Sequence, residues 1–224
     1  CKEAITACLA AGNDLYEFTP IVTTDDTVVR EMTIRNAVCE KWNKEIIWGS
    51  TNGNTYEVQI QAMARVDPSK LDNERVYGQL APPLKIVEMF YSQNGVPILE
   101  DKTWDAANMY NVQTATNLQR HYLQPGYQTA GLNMYREPRF YAYLAFDGSK
   151  WYMQNGTWNI QAKSGQPQAR KSASIYSSTG YFTKKLVNWK FEIKESFNIA
   201  YEDYSWPIIR LADLYLLYAE ALNE

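Results

Sequence analysis

One short stretch of the sequence concentrates residue types that bind sugars. Residues 148–158, GSKWYMQNGTW, place Trp151, Tyr152 and Trp158 among small polar residues that mark turns and surface loops. An aromatic ring can lie flat on the apolar C–H face of a sugar, while an amide such as that of Asn155 reaches the hydroxyl groups. The pattern predicts a carbohydrate-binding platform of exposed rings. The alternative is that Trp151 packs beneath its own hairpin.

Trp104 is a second candidate for carbohydrate binding. It follows the polar loop NGVPILEDK, residues 94–102. It is therefore either a further platform or a plug that packs against the loop it ends, and this position favours the plug. The other tryptophans lie in helical or apolar patterns, which predict structural roles. Trp42, Trp189 and Trp206 are predicted to be core residues, and Trp48, which ends an apolar run, is predicted to be structural.

The residues that could carry out catalysis are few and poorly placed. Glu100, Asp101 and Asp105 lie close together, as a glycosidase pair would, but they belong to a polar loop. A catalytic acid needs an apolar pocket that raises its pKa. His121 is the single histidine, so a catalytic triad or a histidine-based metal site would depend on it alone. We therefore expect no catalysis, no metal and no cofactor.

The composition indicates a folded protein that is rich in aromatic residues. The 224 residues are 46% hydrophobic and 21% charged, which excludes a disordered chain. The aromatic fraction of 14%, with 17 Tyr and 7 Trp, exceeds the usual need of a core and suits a wet binding surface. The net charge is −3 and basic clusters are lacking, so nucleic acid is not an expected partner.

The cysteines and the chain ends indicate a piece of a longer protein. Cys1, Cys8 and Cys39 have neither zinc-site spacing nor an even number for disulfides. A lipidated Cys1 is disfavoured, because a helical pattern rather than a flexible tether follows it. Residues 1–11 begin as a helix without a cap, and the final ALNE lacks a terminator. Both ends of the sequence are therefore expected to have been cut from a longer protein.

Helical spacing of apolar residues recurs along the chain. A helix opens at Pro82-Pro83 and ends at Asn94-Gly95, because proline suits a first turn and glycine a terminus. The last helix starts with Pro207 in its first turn and is expected to be buried on most sides. The remaining predicted helices are residues 1–11, 26–43 and a polar helix at 112–123.

Alternating apolar and polar residues predict strands in two regions. Residues 56–64 alternate, which favours a strand. Residues 140–146 alternate before an Asp147-Gly148 turn, so they are predicted to form a hairpin with the strand that carries Trp151. Asn155-Gly156 predicts a second turn. Residues 67–78 and 162–180 are predicted loops.

Several segments resemble the SusD/RagB family of outer-membrane nutrient-binding lipoproteins. The segment WPIIRLADLYLLYAEALNE, residues 206–224, is similar to the family signature. Other segments resemble further family elements and follow in the family's order. They are AITACLAAGNDLY (4–16), NKEIIWGS (43–50), IVEMFYSQNGVPILEDKTW (86–104), REPRFYAYLAFDG (136–148) and TGYFTKKLVN (179–188).

The resemblance implies a mainly α fold with short β-hairpins. A tetratricopeptide-like helical scaffold is expected, with an irregular loop-rich lobe against it. The chain would be one partial SusD-like domain, residues 1–224. Residues 1–12 and 206–224 would be scaffold helices, and residues 13–205 the irregular ligand-binding lobe.

The resemblance also implies a function. It implies surface binding of oligosaccharide or polysaccharide without catalysis, and delivery to a SusC-like TonB-dependent transporter. The protein would associate with the outer membrane, exposed at the cell surface, through a lipid anchor that these residues lack. Three alternatives stay open: a helical-repeat scaffold for protein interaction, a peptide-binding family member and a glycoside hydrolase.

Overall fold

The computed structural model describes residues 1–51, 53–70, 75–195 and 198–224. The other positions, which fall in the region after residue 51, in the loop predicted at 67–78 and near residue 196, lie outside the described residues. The helices are α1 (Lys2–Ala10), α2 (Asp26–Cys39), α3 (Thr55–Ala62), α4 (Leu84–Met89), α5 (Pro138–Tyr143) and α6 (Leu211–Asn223).

The strands are short and pair two at a time in antiparallel ladders. They are β1 (Ile46–Ser50), β2 (Val112–Thr114), β3 (Gln128–Ala130), β4 (Leu144–Ala145), β5 (Lys150–Met153), β6 (Gly156–Asn159), β7 (Phe182–Thr183), β8 (Glu192–Ile193), β9 (Ile199–Ala200) and β10 (Trp206–Arg210). The pairs are β1–β10, β2–β3, β4–β7, β5–β6 and β8–β9. Helices with short strand pairs match the predicted fold class in outline, while the tetratricopeptide-like arrangement stays a prediction.

The predicted helices at residues 1–11 and 26–43 are confirmed as α1 and α2. Asp25 caps α2, because its carboxylate accepts a hydrogen bond from the Thr27 amide at 2.9 Å. The helix ends at Cys39, four residues before the predicted end. The helix opened by Pro82-Pro83 also ends early, at Met89.

The strand predicted at residues 56–64 is wrong, because this segment forms α3. The Asn54 side chain accepts from the Glu57 amide at 3.2 Å and caps the helix. Gln59 is buried, where its amide donates to the Glu202 carbonyl and accepts from the Asn188 amide. The alternating pattern treated Gln59 as an exposed strand position. Its hydrogen-bond partners, which keep it buried, are remote in sequence and leave no local signal.

Two further predictions in the middle of the chain are wrong. The polar helix predicted at 112–123 is strand β2 followed by a single turn of 3₁₀ helix at Asn117–Gln119. The strand predicted at 140–146 is helix α5 followed by β4. Pro138 begins α5, where the missing backbone N–H of proline costs no hydrogen bond within the helix. The buried Phe140, Tyr141 and Ala142 are apolar on consecutive positions, which hides the helical period.

The last helix begins four residues later than predicted. Pro207 lies in β10 and pairs with Gly49 of β1. Helix α6 starts after Arg210, whose backbone amide donates to the Asp213 carboxylate at 2.8 Å. Leu211 is its buried residue, so the prediction of burial on most sides is wrong for this chain. Helix α1 packs against α6.

A buried ionic centre joins the helices to the hairpin. The Lys184 ammonium donates to Glu31 of α2 at 2.8 Å, to the Tyr141 carbonyl of α5 at 2.6 Å and to the Lys150 carbonyl of β5 at 2.9 Å. Burial raises the pKa of Glu31 and lowers the pKa of Lys184, while their mutual contact opposes both changes. This cation therefore fixes three elements around one point.

Among the described residues, no helix is both long and apolar enough to cross a membrane.

Candidate functional site

The hairpin that carries the aromatic residues forms around the Asn155-Gly156 turn and not, as predicted, around the Asp147-Gly148 turn. Strand β5 pairs with β6, so that Trp151 faces Trp158 and Tyr152 faces Thr157. The Asn155-Gly156 turn is confirmed. The Asp147-Gly148 turn also forms, with Gly148 at φ +93°, but the β4 strand before it pairs with β7 rather than with β5. The hairpin predicted between residues 140–146 and β5 is therefore wrong.

Trp151 is not exposed, which corrects the platform prediction for this residue. Its side chain is 0% exposed and packs in a core with Ile60 and Phe191. The Arg35 guanidinium lies 5.7 Å from the ring centroid. Because strand residues alternate between two faces, Trp151 and Met153 point into the core together. A ring in this position has no surface left for a ligand.

Trp158 is half-buried against the same core. Its ring passes close to Gly156, and its indole N–H is buried with no hydrogen-bond partner in the described residues. The ring therefore offers only part of one face to solvent. Whether that part binds a sugar stays a prediction.

Tyr152 lies on the opposite face of the hairpin from Trp151. Its hydroxyl donates to the His121 carbonyl at 2.7 Å. Burial raises the pKa of Tyr152, so the phenol is a neutral donor at physiological pH. The predicted division of the two faces is confirmed, and the face with Tyr152 is the one that borders a hollow.

We call this depression the hairpin hollow. It has a volume of about 330 Å³ and lies between the hairpin, helix α2 and residues 18–24. Phe18 and Trp189 meet edge to face, with centroids 5.0 Å apart, at its base. Trp189 was predicted to be a core residue, and it is buried, but it also contributes to this wall. The lining residues include Phe18, Val22, Met32, Tyr152, Thr157 and Trp189.

A second depression, the tip hollow, lies at the turn of the hairpin. It has a volume of about 320 Å³ and is lined by Gln154, Asn155, Lys190, Phe191 and Glu192. Gln154 lines both this hollow and the hairpin hollow. The predicted site residue Asn155 is exposed here, beside charged groups.

Trp104 is a plug, as its position in the sequence favoured. It is 8% exposed, and its indole N–H donates to the Met134 carbonyl at 3.0 Å. The Arg136 guanidinium lies 5.6 Å from its ring centroid. The remaining exposed part of the ring borders a third depression.

We call this third depression the loop hollow, because it lies between the loops that follow α4 and precede α5. Its volume is about 220 Å³, and it is lined by Gln93, Asn94, Thr103, Trp104, Asp105 and Tyr135. Tyr135 has φ +55°, a left-handed conformation that is unusual for a bulky residue. Such strain tends to occur where a side chain is held for function.

A hydrogen-bonded network around Asp101 fixes the polar wall of the loop hollow. Its carboxylate accepts from the hydroxyls of Ser92 and Thr103, from the Thr103 amide and from the Asn94 side chain. These hydrogen bonds hold the pKa of Asp101 well below its usual range. The loop is therefore rigid, and Asp101 is an unsuitable general acid.

Some residues that line the hollows carry no signal in the sequence. Tyr135, Gln93 and Phe18 border hollows, yet no local pattern distinguishes them from neighbouring polar or apolar residues. The prediction that Trp42 and Trp206 are core residues is wrong, because both are exposed, as is Trp48. Helix α2 ends at Cys39, before Trp42, and Trp206 lies in strand β10 rather than in a helix. The described residues hold no group of three His, Cys, Asp or Glu side chains that could bind a metal ion.

Comparison with known proteins places the chain in a family. The SusD family profile matches residues 44–224. The chain superposes on the solved structure of BT4246, a Bacteroides SusD-like protein, with a TM-score of 0.74 and 25% identity, over 96% of this chain and 39% of that chain.

The selenomethionine form of BT4246 gives a TM-score of 0.70 at 23% identity, over 96% of this chain and 41% of that chain. The chain thus spans about two fifths of the length of these solved structures. No curated protein matches it. The match over most of the chain, together with the shared fold, shows that this chain belongs to the SusD family.

Proposed function

We propose that this protein binds glycans at the outer surface of the cell and delivers them to a SusC-like TonB-dependent transporter, without catalysis. Family membership supports this proposal, since glycan binding, outer-membrane association and partnership with SusC are properties at the level of the SusD family. Attachment through a lipid anchor is part of the same proposal. The loop hollow supplies the physical argument for binding.

The single observation that carries the proposal is the mixed chemistry of the loop hollow. Aromatic surface from Trp104 and Tyr135 meets two amide side chains, a hydroxyl and the Asp105 carboxylate around one depression of about 220 Å³. A sugar needs an apolar surface for its C–H face and hydrogen-bonding groups at its rim. The loop hollow provides both within the size of a small ligand.

The rigidity of this hollow favours binding. Asn94 donates to Asp101 at 3.0 Å and to Thr103 at 2.9 Å, so its side chain is already oriented. The backbone N–H of Gln93 donates to the Tyr135 carbonyl at 2.8 Å and ties the two loops together. Preorganised groups lose less conformational entropy when a ligand binds.

The predicted residues of the hairpin extend this proposal to a second region. Tyr152 borders the hairpin hollow and Asn155 the tip hollow, and part of Trp158 faces solvent. These three residues stay candidates for contact with a longer glycan. Trp151 is withdrawn because its ring is fully buried.

A non-catalytic role agrees with the state of the acidic loop. A glycosidase needs one carboxyl group with a raised pKa, whereas the pKa of Asp101 is lowered by the hydrogen bonds of Ser92, Thr103 and Asn94. Release of reducing sugar by the pure protein would refute this part of the proposal.

Calorimetry with a panel of oligosaccharides tests the proposal on the full-length protein. A bound glycan should lose about tenfold in affinity when Gln93→Ala removes an exposed amide from the loop hollow, which corresponds to about 1.4 kcal/mol. Gln128→Ala is the matched control, because Gln128 is exposed in β3 outside the hollow. Binding that is equal in both variants would remove the loop hollow from the site.

The same panel should include peptides. Saturable binding of peptides without any bound glycan would favour the peptide-binding alternative. Capture of a protein partner through the helices, again without glycan binding, would favour the interaction scaffold.

A further inference from the structure

The hairpin hollow has walls of a different chemistry from the loop hollow. Three aromatic side chains border it, those of Phe18, Tyr152 and Trp189, together with the thioethers of Met32 and Met153. None of its lining residues carries a charge. Its mouth is formed by residues 20–24.

A bare sugar ring is a poor occupant of this hollow. Each hydroxyl group that leaves water needs a hydrogen-bond partner, and an unpaired one costs about 1–3 kcal/mol. The phenol of Tyr152 is already engaged with the His121 carbonyl, which leaves few polar groups on these walls. The hollow has a volume of about 330 Å³ and a mostly apolar lining, so it is better suited to an apolar group.

The tip hollow adjoins the hairpin hollow at Gln154 and has polar walls. Gln154 belongs to both, and Lys190 and Glu192 line the polar part. Lys190 is held at 3.1 Å from both Glu40 and Glu202, so its ammonium group has a defined position. An occupant that spans both hollows therefore has an apolar end and a polar end.

We propose that these two hollows together bind a glycan that carries an aromatic substituent, such as a phenolic ester or an aryl glycoside. The aromatic ring lies in the hairpin hollow, and the hydroxyl groups of the attached sugar face Asn155 and Lys190 in the tip hollow. This inference rests on the proposed glycan-binding function and specifies the class of glycan.

The lining favours an aromatic ring over a saturated chain. Phe18 and Trp189 already meet edge to face, at an interplanar angle of 88°, and a further ring can join this arrangement. Methionine sulfur makes favourable contacts with aromatic edges, and two methionines lie in these walls. A saturated chain would gain neither interaction.

The test uses two pairs of small probes and the full-length protein. Methyl cinnamate is compared with methyl 3-cyclohexylpropanoate, and phenyl β-D-glucopyranoside with methyl β-D-glucopyranoside. Binding is followed by saturation-transfer NMR and by the change in the tryptophan fluorescence of the protein. We expect the aromatic member of each pair to bind at least tenfold more tightly.

Variants locate the binding. Thr157→Phe fills the hairpin hollow from an exposed strand position and should lower the affinity for the aromatic probes at least tenfold. Thr114→Phe, at an exposed position of β2 outside the hollow, is the matched control and should leave binding unchanged. Val22→Asp, at an exposed position of the mouth, gives a second test that leaves the core intact.

The outcomes separate this inference from the proposed function. Equal binding of both members of each pair, or aromatic binding that neither Thr157→Phe nor Val22→Asp weakens, would overturn the inference. Glycan binding that depends on Gln93, without any aromatic preference, would overturn the inference and leave the proposed function standing. Aromatic peptides that bind where phenyl glucoside does not would overturn it in favour of a peptide ligand.

Discussion

The loop hollow and the hairpin hollow both have aromatic walls, yet their other walls offer opposite chemistry. Trp104 and Tyr135 are accompanied by amides, a hydroxyl and a carboxylate. Phe18, Tyr152 and Trp189 are accompanied mainly by aliphatic side chains and thioethers, with Thr24, Gln154 and Thr157 as uncharged polar groups. Aromatic residues alone therefore do not specify a sugar site. The neighbouring groups decide whether hydroxyls or a second apolar ring can be accommodated.

The two hollows also differ in what supports them. The loop hollow depends on hydrogen bonds around Asp101 near the surface. The hairpin hollow borders the core that contains Trp151, because Met153 belongs to both, and it borders helix α2, which carries Glu31 of the ionic centre. Substitutions beneath the hairpin should therefore affect stability, and substitutions in the loop should affect binding first.

The largest effect is expected at the buried ionic centre. Lys184→Met removes an ammonium that donates to Glu31 and to two carbonyls, and leaves a buried carboxylate without its partner. We expect the free energy of unfolding to fall by about 5 kcal/mol, as measured by urea denaturation.

Lys185→Met is the matched control, because Lys185 is half-buried and lies over the Tyr143 ring. Its loss should cost about 1 kcal/mol or less. Adding Glu31→Gln to Lys184→Met should recover part of the lost stability. A Lys184→Met protein as stable as the parent would contradict the support that we assign to this centre.

The next effect separates the two tryptophans of the hairpin. Trp151→Ala removes a fully buried ring and should lower the free energy of unfolding by about 4 kcal/mol. Trp158→Ala removes a half-buried ring at the paired position and should cost about half of that. Guanidinium denaturation of both variants measures the difference, and equal losses would mean that the half-buried ring of Trp158 contributes as much packing to the shared core as the buried ring of Trp151.

A smaller effect should appear in binding at the loop hollow. Asparagine tolerates the left-handed backbone of Tyr135, so Tyr135→Asn removes the ring and relieves about 1 kcal/mol of strain. We expect glycan affinity to fall about tenfold, while the lost packing and the relieved strain largely offset each other in stability. Calorimetry and thermal denaturation measure the two quantities.

Tyr215→Asn provides the control for that substitution, because Tyr215 is exposed on α6 away from the loop hollow. Unchanged glycan affinity in Tyr135→Asn would show that the Tyr135 ring does not contact the ligand.

The smallest effect should depend on pH. The pKa of Asp101 is lowered from 3.8 by its hydrogen bonds, so its stabilisation is complete above that unfolded value and is lost as the pH falls through the lower folded value. Asp101→Asn should therefore lower Tm by a few degrees at pH 7, and its difference from the parent should begin to shrink below pH about 4 and continue to shrink towards pH about 2.

Glu100→Gln, an exposed change in the same loop outside the hydrogen-bonded network of Asp101, is the matched control. A Tm difference between Asp101→Asn and the parent that stays constant from pH 7 down to pH about 2 would contradict the assignment of the network to an ionised Asp101.

Local patterns predicted the parts of the fold that depend on neighbouring residues. The cap of α2 at Asp25 and the turn at Asn155-Gly156 follow from side chains within a few positions. The plug position of Trp104 also follows from the loop that precedes it. The family resemblance was readable because its segments keep their order along the chain.

Predictions failed where the partners are remote in sequence. Gln59 belongs to a helix, and its buried side chain forms hydrogen bonds to residues 188 and 202. The alternating pattern of its segment therefore predicted a strand wrongly. Strand β4 pairs with β7 instead of the adjacent β5, because a short strand can find its partner far along the chain. The hollows join residues from three or more segments, so no single stretch of sequence defines them.

The sequence by itself determined that Trp151 and Tyr152 lie on opposite faces of a strand, since side chains alternate along an extended backbone. It also determined the family and the wealth of aromatic residues. Only the tertiary structure decided which face is covered. The packing of Trp151 beside Arg35 and Phe191 joins parts of the chain that have no local relation, and that packing turned one ring inward and left the other beside a hollow.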